Sequence, residues 1–267
     1  MLRPTQRQIS LALSDLRIGF GDWRLWSLLG WQDIKQRYRR STLGPLWLTI
    51  STAIQMAVMG LLGSFLFHND IPRYLPFLCT GLLFWTMITA IVNDGATVFV
   101  SSISHLTQIR RALMTFIMQI VWRNLIIFGH NFIIYIVIAL IFDVRPSMTI
   151  VLWPIGMLLG VVSVTWIALV AGILAARFRD IPMLIQSLLN IMFWVTPLVY
   201  YPEQLGDKVY LLDYNPFTHV IALMRDPLLG INPSILNWVV TASMAVLGWG
   251  ATLMFFARFR ARVVYWL

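Results

Sequence analysis

Charge is what this sequence is short of. Asp, Glu, Lys and Arg make up 12% of its 267 residues, about half of the ~25% with which a soluble domain wets its surface. Lysine is rarer still. Lys35 and Lys208 are followed by Gln36 and Val209, so no G-x-x-x-x-G-K-[ST] loop exists to cradle nucleotide phosphates. Neither G-x-S-x-G nor H-E-x-x-H occurs, and the carboxylates do not cluster, which leaves no motif for nucleophilic or metal-assisted transfer chemistry. The single cysteine, Cys79, lies in an apolar run. It excludes an internal disulfide framework and a Cys-rich metal site, and reads as a small packing residue. If the protein moves something uphill, its energy comes from another subunit or from an ion gradient. The scarcity of carboxylates in the apolar runs argues against the gradient.

What the chain has instead is apolar length. The apolar set accounts for 59% of residues and mean hydropathy is +0.77. A bilayer takes ~20 apolar residues per helical crossing, so the sequence reads as one all-α integral membrane protein with six crossings. They are expected at 45–67, 74–100, 112–142, 150–176, 181–201 and 235–257. No secretory signal is expected in the mixed polar and basic residues 1–44, and 258–267 reads as a polar tail. Asn93, Asp94 and Gly95 make the second crossing either one long helix or a helix broken near its far end. Pro197 is expected to bend or end the fifth.

Six crossings place both termini on one side, and the basic residues test that arrangement. Fifteen of the twenty Lys and Arg fall on the terminal side, four on the other, and Arg123 lies inside a span. The terminal side is therefore cytoplasmic. The formal charge of +9 is spread over four cytoplasmic segments, as topology requires, so nucleic acid is not expected as a partner.

Four features are more than simple crossings. Residues 22–40, DWRLWSLLGWQDIKQRYRR, are expected to form an amphipathic helix with Trp23, Trp31, Ile34 and Tyr38 on one face and Lys35, Arg37, Arg39 and Arg40 turned away or flanking. It is suited to the headgroup layer, as an anchor or as a contact for an anionic headgroup. Residues 101–111, SSISHLTQIRR, are an ordinary loop or a helix projecting towards a cytoplasmic motor. Residues 215–230, NPFTHVIALMRDPLLG, hold half a crossing between Pro216 and Pro227. They are expected to form short re-entrant or interfacial helices. Asp94 and Arg123, near bilayer depth on adjacent antiparallel helices, are expected to pair, a proton relay being the sharper alternative. His130 reads as a hydrogen-bonded packing residue rather than a metal ligand.

The order of these features, with QRYRRSTLGPLW at 36–47, GLLFW at 81–85 and NPFTHVIALMRDPLLG before the last span, resembles the membrane subunit of ABC transporters that export polysaccharides, especially lipid-linked O antigens. The resemblance implies a homodimer working with two copies of a separate ATPase subunit, which binds the ATP and Mg; this chain then needs no cofactor of its own. It also implies a bacterial inner-membrane location and a substrate linked to undecaprenyl pyrophosphate. Carried over by position, Arg37, Tyr38, Arg39 and Arg40 meet the headgroup at the entrance, and the first and fifth spans line the path. Trp47, Phe84, Trp85, Phe193, Trp194 and Tyr200 are the implied sugar contacts. His105, Gln108, Arg110 and Arg111 couple to the ATPase, and Asn215, Pro216, His219 and Arg225 form the external gate. Capsular polysaccharide or teichoic acid export, a membrane enzyme acting on lipid-linked sugars, and a channel or ion-coupled carrier are the alternative readings.

Overall fold

The computed structural model describes residues 5–39, 46–103, 111–145 and 147–267, all helix or connecting segment, with no strand among them. Two helices, not one, precede the membrane bundle. Helix α1, Gln6–Gly21, starts at a capping box: the Thr5 hydroxyl accepts from the Gln8 amide at 3.4 Å, and the Gln8 side chain accepts from the Thr5 amide at 2.9 Å. Helix α2, Trp23–Tyr38, follows directly. The T-x-x-Q signal for α1 stands in the sequence and was not part of the expected architecture. Ile34 is buried, but Trp23 and Trp31 are exposed, and Gly30 and Trp26 turn inward with Ile34.

Among the described residues, five helices are long and apolar enough to cross a bilayer. They are α3, Leu46–Phe67; α4, Ile71–Ser101; α5, Leu113–Ile141; α6, Trp153–Arg177; and α9, Ile235–Phe259. The alternative left open for the second crossing is resolved: α4 runs unbroken through Asn93, Asp94 and Gly95. Gly95 lies so close to Ala168 of α6 that an added Cβ would stand 2.5 Å from the alanine Cβ, so the glycine marks a backbone contact rather than a break. Helix α4 is the centre of the molecule. It packs against α3, α5, α6 and α7 and buries Phe84, Leu78, Leu83, Ile88, Ile91 and Phe99.

Helix α7, Ile181–Val195, holds 15 residues, roughly 22 Å at ~1.5 Å per residue against the ~30 Å of a hydrocarbon core. The helix ends where Pro197 was expected to bend or end it, and residues 196–201 of the expected crossing lie outside it. Thr196 leaves the helix with φ −89° and ψ 135°, because the ring of Pro197 disfavours helical geometry in the residue before it and supplies no amide. Residues 196–200 lie against α4 at Leu198 and Val199, and 3-10 turns over Pro202–Tyr214, interrupted at Gly206 (φ 54°, ψ −129°), lead to α8, Pro216–Arg225. A further turn, Asp226–Leu229, ends at Gly230, whose φ of 75° favours a residue without Cβ. After α9 the chain ends in α10, Val263–Trp266, tied back by Arg177 above the Trp266 ring.

Candidate functional site: an exposed polar stripe between two anchored ends

On the side of α2, one arginine joins three helices. Arg123 of α5 donates to Asp94 of α4 at 2.7 Å and to Asp33 of α2 at 2.9 Å. Two amides complete the set: Gln119 donates to Asp33 at 2.9 Å and Asn124 to Asp94 at 2.8 Å. One cation against two carboxylates leaves a surplus negative charge, which the amide donors stabilise. The expected Asp94–Arg123 pair is present, and Asp33, which the sequence reading passed over, is its third member. One turn before Ile34, Gly30 lies so close to α5 that an added Cβ would stand 3.0 Å from the Gln119 carbonyl and 3.1 Å from the Trp122 ring.

Helix α1 is tied down in a similar way. Asp15, 2% exposed, accepts from the Met114 amide at the start of α5 at 3.2 Å and from Arg260 Nε, just past α9, at 2.7 Å. A carboxylate at a helix N-terminus meets both the unpaired amides and the positive end of the helix dipole. The start of α5 directly follows residues 104–110, so His105, Gln108 and Arg110 lie outside the described residues, and Arg111 is exposed. Arg40 and the side chains of Arg37 and Tyr38 also lie outside the described set, and Arg39 is exposed.

At the opposite end, three of the four residues expected to form a gate, Asn215, His219 and Arg225, are buried in a hydrogen-bonded knot, while Pro216 is exposed. Asn215 caps α8 through the Phe217 amide at 3.0 Å and donates to the Thr196 hydroxyl at 2.9 Å. His219 bonds the Asn237 side chain at 2.7 Å and the Asp213 carbonyl at 3.0 Å. Arg225 donates to the Pro197 carbonyl at 2.9 Å and to Asp226 at 3.2 Å, and lies 4.1 Å above the Phe77 ring. Tyr74 of α4 donates to the Val199 carbonyl at 2.5 Å. Thr196, Pro197 and Val199, where α7 has unwound, are thus held by α4 and α8 together. Pro216 occupies the first position of α8, where its missing amide costs nothing. Burial pushes the Asp226 carboxyl above its ordinary range, against the opposing pull of Arg225.

The aromatic candidates divide. Phe84 stacks on Phe128 with centroids 5.2 Å apart, and Trp85 meets Phe217 edge-on at 5.7 Å; both are buried in the core and present no face outside the chain. Trp47 and Trp194 are exposed, while Phe193 and Tyr200 are half-buried.

Between the two anchored ends, α3 and α7 carry the most telling surface. Leu189 is the buried residue of α7, and its outward side shows Met183, Gln186, Ser187, Asn190 and Trp194. On α3 the outward side carries Trp47, Ser51, Ile54, Gln55 and Val58. Gln55 and Asn190 each lie near the middle of their helix. The sequence reading noted the aromatics and missed these amides, whose signal was an i, i+4 polar pair, Gln186 and Asn190, inside a crossing free of charge.

A family model described as ABC-2 type transporter matches residues 24–229. The chain is 26% identical over 177 residues to O-antigen export system permease protein RfbA of Myxococcus xanthus, covering 66% of this chain and 68% of that protein. It is 25% identical over 235 residues to a permease of the same name from Klebsiella pneumoniae, covering 85% and 88% respectively. With five helices long enough to span a bilayer and more than half its length matched, the chain belongs to the ABC-2 type transporter family as a multi-pass membrane subunit.

Proposed function

We propose that this protein is the membrane subunit of an ATP-driven exporter of lipid-linked O-antigen polysaccharide, and that α3 and α7 line its path. The observation that carries this reading is the exposure of Gln55, Gln186 and Asn190 at mid-helix. An amide facing lipid there has no partner, so such residues face a watery path or another polypeptide. Trp47 and Trp194 beside them offer apolar ring faces for sugars to slide along. The O-antigen substrate follows from the names of the relatives, and undecaprenyl pyrophosphate as its carrier from the family resemblance.

In this reading the chain crosses the bacterial inner membrane six times. Helix α7 and residues 196–201 together make the fifth crossing, both termini are cytoplasmic, and α8 dips towards the bilayer. Residues 1–44 hold the interfacial helices, 45–257 the membrane domain and 258–267 the tail. Two copies pair around the path with two ATP-binding subunits, which contact residues 101–111 and bind ATP and Mg themselves. Arg37, Tyr38, Arg39 and Arg40 receive the pyrophosphate, and the knot of Asn215, Pro216, His219 and Arg225 sets the position of the external gate.

The test is reconstitution of this chain with its ATP-binding partner in proteoliposomes supplied with lipid-linked polysaccharide. Transfer should require both chains and ATP. An Asn190→Cys variant should react with a membrane-impermeant thiol reagent, the native Cys79 being buried. Transfer by this chain alone, or an Asn190→Cys that reacts with lipid-soluble reagents only, would overturn the reading.

A further inference from the structure

A cavity of about 520 Å³ opens beside the knot, at the end of the molecule away from α2. Its walls come from the start of α4, from Val144 after α5, from Tyr201 to Glu203 and from Arg225 to Ile231. That volume lies within the ~300–1,000 Å³ typical of small-molecule sites. A second recess of about 410 Å³ shares Arg73, Tyr201 and Glu203 with it and extends to Asn69.

The chemistry of the lining is unusual for a surface at the membrane edge. Arg225 lies 4.1 Å from the Phe77 ring centroid, Phe77 lies 4.5 Å from Tyr201, and Arg73 stands 5.7 Å from the Tyr201 ring centroid. Both guanidinium groups are within cation–π range of an aromatic ring, which favours their position beside the cavity. Glu203 and Asp226 stand in the same wall as acceptors. The formal charges of these four groups cancel, so an anionic headgroup has no net attraction here. Beside the cavity and the second recess, Tyr201 Oη and Asn69 Nδ2 are buried without a hydrogen-bond partner among the described residues. Oriented donors beside acceptors, with ring edges and prolines between them, match a molecule that carries many hydroxyls on an apolar ring.

We propose that this cavity is a saccharide-binding site, taking one or a few neutral sugar units of the polymer on the external face through Arg73, Glu203, Arg225 and Asp226. The proposal rests on the exporter reading for the source of the sugar. It adds a second point of contact, separate from the α3 and α7 surfaces, where the emerging chain is held against sliding back.

The probe is delipidated surface polysaccharide of the host strain, released by mild acid and trimmed to one to three repeat units. It is titrated calorimetrically into the chain and its ATP-binding partner in lipid nanodiscs. Saturable binding is expected, weakened at least about tenfold in an Arg73→Gln/Glu203→Gln variant, whose two side chains are exposed. It should be abolished by Ile231→Trp, which fills the cavity from an exposed position. Absence of binding to the unaltered complex, unchanged binding in both variants, or displacement of the sugar by short-chain phosphatidylglycerol would overturn the site, the last outcome assigning it to a lipid headgroup. ATP-dependent transfer of lipid-linked polymer is measured on the same preparation in proteoliposomes. Transfer without sugar binding overturns the site and spares the exporter reading. Sugar binding without transfer does the reverse.

Discussion

Helices α3 and α4 are adjacent in the chain and both apolar enough to span a bilayer, yet 78% of the most apolar stretch of α4 is buried within the protein and 22% of that of α3. The difference shows what hydropathy measures. It reports the cost of leaving water, and lipid and protein serve equally well in place of water. What separates the two helices is how closely a neighbour can approach. In α4 the backbone at Gly95 meets the backbone of α6 at Ala168. In α3 the two glycines meet side chains, Gly60 facing a Leu75 methyl and Gly63 the Tyr74 hydroxyl and ring. An apolar cleft of about 350 Å³, lined by Ile50, Ala53, Met56, Ile133 and Val137 among others, separates much of α3 from α5. A helix held through side chains can shift as a unit; one interlocked along its backbone cannot.

The largest test of this contrast is at the charged junction that fastens α2 to the interlocked half. Arg123→Met leaves Asp33 and Asp94 without their cation. It should lower stability by about 3 kcal/mol or more, read as the thermal midpoint in detergent. A triple variant, Asp33→Asn/Asp94→Asn/Arg123→Met, should recover most of that loss. Failure to recover would mean that the junction acts through packing and not through charge.

Next come the glycines. Gly95→Ala should destabilise by about 2 kcal/mol, because the α4–α6 backbones must part. Gly60→Ala should cost under about 0.5 kcal/mol, since a flexible leucine end can turn aside. Equal losses would erase the distinction between the two helices. A leucine pair sharpens it further. Leu83→Ala, in the core of α4, should cost about 2 kcal/mol, the low end of the usual range, because in a membrane the cavity term acts without the full transfer term. Leu62→Ala on the exposed side of α3 should fall within about 0.5 kcal/mol of the unaltered protein.

The smallest effect is the pH response of the external knot. Burial holds the Asp226 carboxyl above its ordinary value, so between the unfolded and folded values the folded protein binds the extra proton. Through this group stability rises as pH falls across that window and is lost as pH rises through the folded value. Asp226→Asn should remove this contribution, leaving the difference between variant and unaltered midpoints smaller at acid pH than at neutral pH. A constant difference between pH 4 and pH 7 would show that Asp226 does not titrate differently on folding.

Much of the scaffold was legible from residue order. Helix starts at Leu46, Ile71, Leu113 and Ile235 fall within a few residues of the boundaries expected from apolar run length, because a bilayer imposes that length on any helix that crosses it. The end of α7 near Pro197 was legible for the same kind of local reason. The Asp94–Arg123 pair was foreseen from the cost of an isolated charge at bilayer depth. Asp33 was not, because nothing in residues 22–40 reveals which turn of α2 meets α5. The external candidates were found as residues, but their environment was not. Asn215, His219 and Arg225 face inward to bond Thr196, Asn237 and Pro197, partners 18 to 28 residues away in the chain.

The sequence by itself determined that this is a membrane bundle, roughly where its helices begin and end, and that it lacks the common nucleotide and hydrolase motifs, since each follows from local composition or from the presence of a short motif. Only the tertiary structure decided which apolar helix is buried and which is exposed, that Phe84 and Trp85 belong to the core, and that Gln55, Gln186 and Asn190 stand outward at mid-helix. Those outcomes depend on which face of one helix meets which face of another: for the apolar helices and the aromatics no polar-versus-apolar pattern marks the difference, and the Gln186 and Asn190 pair marks a polar face without saying what it faces.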